Sequence, residues 1–103
     1  MKKGYKCILA IVNDGFSELT METAKACGAK GGTILEARGT APKEAEKFFN
    51  VSIQPEKEIV MILVKADLVD AILKGLYSAI GTSTKAQGIV FTLPVDEVVG
   101  LKA

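Results

Sequence analysis

Ile59-Val60-Met61-Ile62-Leu63-Val64 is an unbroken apolar run, rich in β-branched side chains and flanked by Lys57, Glu58 and Lys65. A short run of this kind, bounded by polar residues, reads as a central strand buried on both faces. Side chains alternate across a strand, so neither face of this one is suited to water. Tyr5 to Val12 has the same character: Tyr5, Cys7, Leu9 and Ile11 form one largely apolar set, and Ile8, Ala10 and Val12 form the other. Two strands apolar on both sides define a sheet that needs cover on both sides.

The remaining elements follow outward from these two strands. Asn13-Asp14-Gly15 is a turn signal that ends the first strand. Ser17 is expected to cap a helix over residues 17–28, in which Leu19, Thr23, Ala26 and Cys27 recur at helical spacing and Gly28 supplies a left-handed stop. Gly31-Gly32 leads into a second strand, Thr33 to Arg38, closed by Gly39. Residues 40–56 then turn polar and read as a long loop, with one or two helical turns between Lys43 and Phe49 before Pro55 restores an extended chain. Asp67 is expected to cap a second helix over 67–80, where Leu68, Val69, Ile72, Leu73, Leu76, Tyr77 and Ile80 form one stripe. Gly81 to Gly88 is a loop of small and polar residues, and Ile89 to Leu93 is a fourth strand before Pro94.

This order, βαββαβ, predicts an α+β fold: a ferredoxin-like sandwich with a four-stranded antiparallel sheet and two helices on one face. Two helices cover one face only. The other is expected to be covered by further copies of the chain.

With 103 residues the chain has room for one domain, spanning 1–103, and a domain of this size buries roughly two-thirds of its unfolded surface. A net charge of +1 argues against nucleic acid or an anionic membrane as partner. Histidine, the commonest general base and metal ligand, is absent. Cys7 and Cys27 fall in apolar stretches and read as reduced core thiols. The basic start Met1-Lys2-Lys3 precedes an apolar run too short for a leader, and no stretch of about 20 apolar residues occurs, so a cytoplasmic protein with no membrane insertion is expected. Glu36, Asp67, Asp70, Asp96 and Glu97 have no base of neutral pKa beside them, and adjacent Asp96 and Glu97 point opposite ways in an extended chain. No enzyme is expected, and no metal site.

Three stretches resemble the nitrogen-regulatory PII signalling family. Gly28-Ala29-Lys30-Gly31-Gly32-Thr33-Ile34-Leu35-Glu36-Ala37-Arg38-Gly39 is similar to the family's helix end, turn and second strand. Lys57 through Leu76 carries Val69-Asp70 in the family's usual place, and Gly88-Ile89-Val90-Phe91-Thr92-Leu93-Pro94-Val95-Asp96-Glu97-Val98-Val99 resembles its fourth strand and proline-valine-acidic continuation. The resemblance implies a cytoplasmic homotrimer with a small ligand bound in inter-subunit clefts and a loop, here 40–56, that engages a target protein. It also implies a ligand site built from Gly39, Lys57, Gly81, Thr82, Ser83, Thr84, Lys85, Gly88 and Lys102.

The sequence departs from the family at that site. Ala86-Gln87-Gly88-Ile89 stands where the family has glycine-aspartate-glycine-lysine, and Gly100 and Lys102 stand where it has two arginines. Fewer cations remain to meet a triphosphate, so AMP or ADP is the expected effector rather than ATP. The glycines serve either close approach to the ligand or turn geometry alone. The 40–56 loop has no tyrosine and reads Ala41-Pro42-Lys43 where the family has glycine-arginine-glutamine. Its Lys43, Phe48 and Phe49 either form a partner-binding tip or pack back on the protein. A ligand-independent protein-interaction module and a metal-binding trimer of the same fold are the alternatives.

Overall fold

The computed structural model describes residues 3–40 and 55–101. In chain order it contains β1 (Tyr5–Asn13), α1 (Ser17–Ala26), β2 (Thr33–Arg38), β3 (Glu56–Lys65), a 3-10 turn (Ala66–Leu68), α2 (Val69–Ile80) and β4 (Ile89–Pro94). The sheet order is β2-β3-β1-β4 with every neighbouring pair antiparallel. The two doubly apolar strands take the centre, because only a central strand is shielded by neighbours along both edges.

Register sorts the side chains into two faces. Ile8 lies opposite Ile62 and Thr92, while Leu9 lies opposite Met61 and Phe91. The first face is the core: Ile8, Ala10, Val12, Val60, Ile62 and Val64 pack under Ala24 of α1 and Ile72, Leu76 and Ile80 of α2. Each fully buried leucine or isoleucine contributes about 1.5–3 kcal/mol, and α2 supplies three of them at a spacing of four, the repeat its stripe predicts.

Helix α1 contributes small residues instead. Ser17, Thr20 and Ala24 are buried and Leu19 is 40% exposed, so of the face expected from Leu19, Thr23, Ala26 and Cys27 only Thr23 and Cys27 turn inward, toward Gly75 of α2. The Thr20 hydroxyl donates back to the Phe16 carbonyl at 2.7 Å, which lets it sit in the core without an unpaired polar atom. The two helices approach closely at Gly75, where a methyl group would stand 2.7 Å from Cys27 Sγ. Both cysteines are free thiols, Cys7 buried and Cys27 half-buried.

Both expected caps are corrected. Position 16, not 17, precedes α1, and the Ser17 hydroxyl instead donates to Glu58 Oε2 at 3.0 Å while the Gly15 N–H donates to Glu58 Oε1 at 2.8 Å. A carboxylate from β3 thus sits beside the start of α1, where the helix dipole favours it, held by the turn before the helix and by the Ser17 hydroxyl. Asp67 lies inside the 3-10 turn, so Leu68 takes the position before α2. Gly28, with φ at +115°, does turn the chain after α1, and the helix itself stops at Ala26.

Among the described residues, no element packs on the second face of the sheet. Leu35, Met61, Leu63, Ile89, Phe91 and Leu93 share it and are between 36% and 57% exposed. A sheet face built for water carries polar residues at these positions.

Candidate functional site

At the end of the sheet where β1 finishes and β3 begins, four segments meet around Asn13. This residue pairs with Lys57 in the sheet register and is 4% exposed. Its side-chain oxygen accepts from Lys57 Nζ at 2.6 Å, and its side-chain nitrogen donates to the Lys85 carbonyl at 3.0 Å and to Gln87 Oε1 at 3.4 Å. Its backbone N–H donates to the Ala86 carbonyl at 2.9 Å. An asparagine at a strand end can do this because one short side chain carries both a donor and an acceptor.

Gly39 lies beside Lys57. Its N–H donates to the Pro55 carbonyl at 2.7 Å, closing the base of the 40–56 segment, and a methyl group on it would stand 3.1 Å from Lys57 Cε. The loop from Gly81 to Gly88 is held by its own backbone. Gly81 N–H donates to the Tyr77 carbonyl at 3.1 Å, Gly88 N–H to the Ile80 carbonyl at 2.7 Å, and the Thr84 N–H and hydroxyl both donate to the Gly81 carbonyl, at 3.0 and 2.8 Å. A Cβ on Gly81 or Gly88 would collide with the Tyr77 or Ile80 carbonyl, so both glycines are needed for close packing on the end of α2. Thr82, Ser83 and Lys85 are exposed. Gly81, Thr82 and Gly88 also line a shallow pocket of about 360 Å³ with Tyr77 and Ile89.

Of the residues the sequence nominates, Gly39, Lys57 and the 81–88 loop are therefore brought to one end of the sheet. Lys43, Phe48, Phe49 and Lys102 lie outside the described residues. Asn13, read from sequence only as part of a turn signal, is the centre of the cluster. A strand-terminal asparagine gives no hint of partners more than seventy positions away.

A larger cleft, about 690 Å³, opens at the opposite end of β3. Met61, Leu63, Leu68, Tyr5 and Leu101 give it apolar walls, and the backbone from Gly28 to Thr33 with Lys30 and Lys65 supplies the polar part. Gly32 holds that backbone against β3: a methyl group there would stand 2.8 Å from the Met61 carbonyl and 2.9 Å from Met21 Sδ. No sequence motif singled this cleft out, because its walls come from four separate segments.

The chemistry on offer at the two places is binding. Among the described residues no group of three cysteine, aspartate or glutamate side chains gathers to hold a metal, and no helix is long and apolar enough to cross a membrane. The Cys7 thiol is pushed above its ordinary pKa by burial, with a backbone contact at Ile62 opposing, so it is a weak nucleophile.

Comparison with known proteins agrees with this architecture. The family profile of nitrogen regulatory protein P-II matches residues 5–103. Among solved structures, PII of Arabidopsis thaliana bound to citrate superposes with a TM-score of 0.70 at 21% identity, covering 95% of this chain and 81% of that one. CPII, a nitrogen regulatory PII-like protein from Thiomonas intermedia K12 bound to ADP, AMP and bicarbonate, gives 0.67 at 18% identity over 94% of this chain and 96% of its own. The GlnK–ATP complex of B. subtilis gives 0.66 at 15% identity, covering 90% and 84%. No curated protein sequence matches the chain.

Proposed function

Because the chain belongs to the nitrogen regulatory protein P-II family, we propose that it is a homotrimeric sensor of a small ligand, an adenine mono- or diphosphate, bound between subunits and relayed through residues 40–56 to a target protein. The observation that carries this reading is the placement of two half-sites at opposite ends of β3. The apolar cleft at Met61 and Leu63 suits a flat base, and the cluster of Lys57, Gly39 and the 81–88 loop suits a polar group. Lys57 and Leu63 are six residues apart on one strand, about 20 Å at the usual rise, which is more than one nucleotide spans comfortably. The halves come together only if one chain's loop faces its neighbour's cleft. The uncovered apolar face of the sheet supports the same arrangement, since association buries it.

Charge favours the smaller nucleotides. Lys57 is already bonded to Asn13, which leaves Lys85 as the exposed ammonium of the 81–88 loop. A triphosphate brings about four negative charges, and each needs a donor or cation once it leaves water. AMP and ADP need fewer. No step of bond making or breaking is assigned to any residue, and bound nucleotide is expected to be recovered intact.

Titration calorimetry with AMP, ADP and ATP tests this reading. AMP and ADP should bind more tightly than ATP, and Lys85→Ala should weaken ADP about tenfold and flatten its salt dependence. Tightest binding of ATP, or no nucleotide binding at millimolar concentration, would replace it with a ligand-independent protein-interaction module of the same fold.

A further inference from the structure

We propose that Asn13 mechanically couples the 81–88 loop to Gly39, Pro55 and Lys57, the residues at the base of the long β2–β3 connection. The orientation of its amide is fixed from both ends. Lys57 Nζ has only protons to offer, so the atom 2.6 Å from it is the amide oxygen, and the Lys85 carbonyl has only lone pairs, so the atom 3.0 Å from it is the amide nitrogen. One buried side chain is therefore shared between two segments that, among the described residues, make no hydrogen bond to each other, and it cannot turn toward a better contact on one side without losing the other.

What lies at each end makes a displacement consequential. On the loop side, Gln87 has φ at +48°, the positive-φ conformation that disfavours side chains, and its amide oxygen accepts from the Asn13 nitrogen. The Asn13 N–H to Ala86 carbonyl bond holds the same stretch. On the base side, the Lys57 stem lies close across Gly39, where a methyl group would stand 3.1 Å from Lys57 Cε and push the stem aside, and the Gly39 N–H bonds to the Pro55 carbonyl. A ligand that draws the backbone of Lys85 to Gln87 toward itself would rotate the Asn13 amide, release the Lys57 ammonium and loosen the packing of its stem on Gly39. The use of this coupling in sensing rests on the nucleotide reading above; the coupling itself is a property of the ligand-free chain.

Amide hydrogen exchange on the full ligand-free protein tests it with Lys57→Met in two backgrounds. In the wild type, Lys57→Met should speed exchange of the Thr84 and Gln87 N–H groups about tenfold, although neither residue is bonded to Lys57. In the Asn13→Asp background, which keeps an acceptor for Lys57 and removes the donor to the loop, Lys57→Met should change them less than about twofold. The reciprocal experiment reads Gly39 N–H exchange after Gln87→Gly, which should rise in the wild type and stay constant with Asn13→Asp. Equal effects in both backgrounds, or no effect of Lys57→Met on the loop, would overturn the proposal. Asn13→Asp retains a side chain of the same shape, so the comparison does not depend on a cavity variant folding. Should ADP fail to bind at all, the nucleotide reading falls while these ligand-free measurements still decide the coupling.

Discussion

Replacing Leu9 with lysine separates the fold of one chain from its assembly. Leu9 lies at the middle of the uncovered sheet face, opposite Met61 on one side and Phe91 on the other, and is half-buried by them. In a lone chain a lysine there can run its stem over these neighbours and keep its ammonium in water, at a cost of about 1 kcal/mol. In a trimer closed on this face the same ammonium is trapped. The variant then forfeits about 1.5–3 kcal/mol of leucine burial and adds several kcal/mol for an unpaired charge. That is roughly 5 kcal/mol per subunit, repeated in each of three, and no trimer of a small domain survives such a loss. Light scattering at micromolar concentration should return about three times the 10.9 kDa chain mass for the wild type and a single chain mass for Leu9→Lys, with the far-ultraviolet circular dichroism preserved. Ile8→Lys is the control. One residue away, it points into the core, where Ile8 is 0% exposed, and should unfold the chain. A wild-type monomer, a trimeric Leu9→Lys, or equal unfolding of both variants would refute the reasoning.

Two further outcomes follow from the packing and the buried thiol. Gly88→Ala drives a methyl group into the Ile80 carbonyl oxygen at the end of α2 and should cost about 3 kcal/mol, lowering Tm by at least about 10 °C, whereas exposed Thr82→Ala should shift it little; a small shift for Gly88→Ala would mean that the loop yields easily. Burial raises the Cys7 pKa in the folded state, so between the unfolded thiol value of about 8.5 and the higher folded one the native chain binds more protons. Stability from this group is complete below that window and falls as pH rises through it, so urea midpoints measured at pH 7.5 and 9.5 should fall further for the wild type than for Cys7→Ala, and parallel falls would show that the thiol does not contribute.

Much of the fold was readable locally, because strand and helix signals are periodic over a few residues. The double apolarity of Tyr5 to Val12 and Ile59 to Val64 sufficed to make them central strands, and the stripe read on the second helix is buried at Ile72, Leu76 and Ile80, although Tyr77, placed in the same stripe, lies at its edge and is 68% exposed. The same local signals left a sheet face without cover. They failed where the deciding contact is distant in sequence. Nothing within α1 reveals that Thr20 and Ala24 rather than Leu19 turn inward, since which side of the helix is buried depends on how it docks on the sheet and on α2, elements distant in sequence. Ser17 looked like a cap, yet its hydroxyl is taken up by Glu58, forty-one residues further on.

For the candidate site, the resemblance to the P-II family pointed to Lys57, Gly39 and the 81–88 loop, and the fold brings these to one end of the sheet. Asn13 and the cleft at Gly28 to Thr33 were decided by tertiary structure alone. Asn13 reaches partners 72 and 74 positions away, and the cleft exists only because β3 runs alongside a turn that precedes it by some thirty residues. A sequence records which groups are available and how each short segment prefers to fold. Which groups become neighbours depends on how the whole chain closes, because a hydrogen bond or a cavity wall is a property of pairs that local periodicity does not encode.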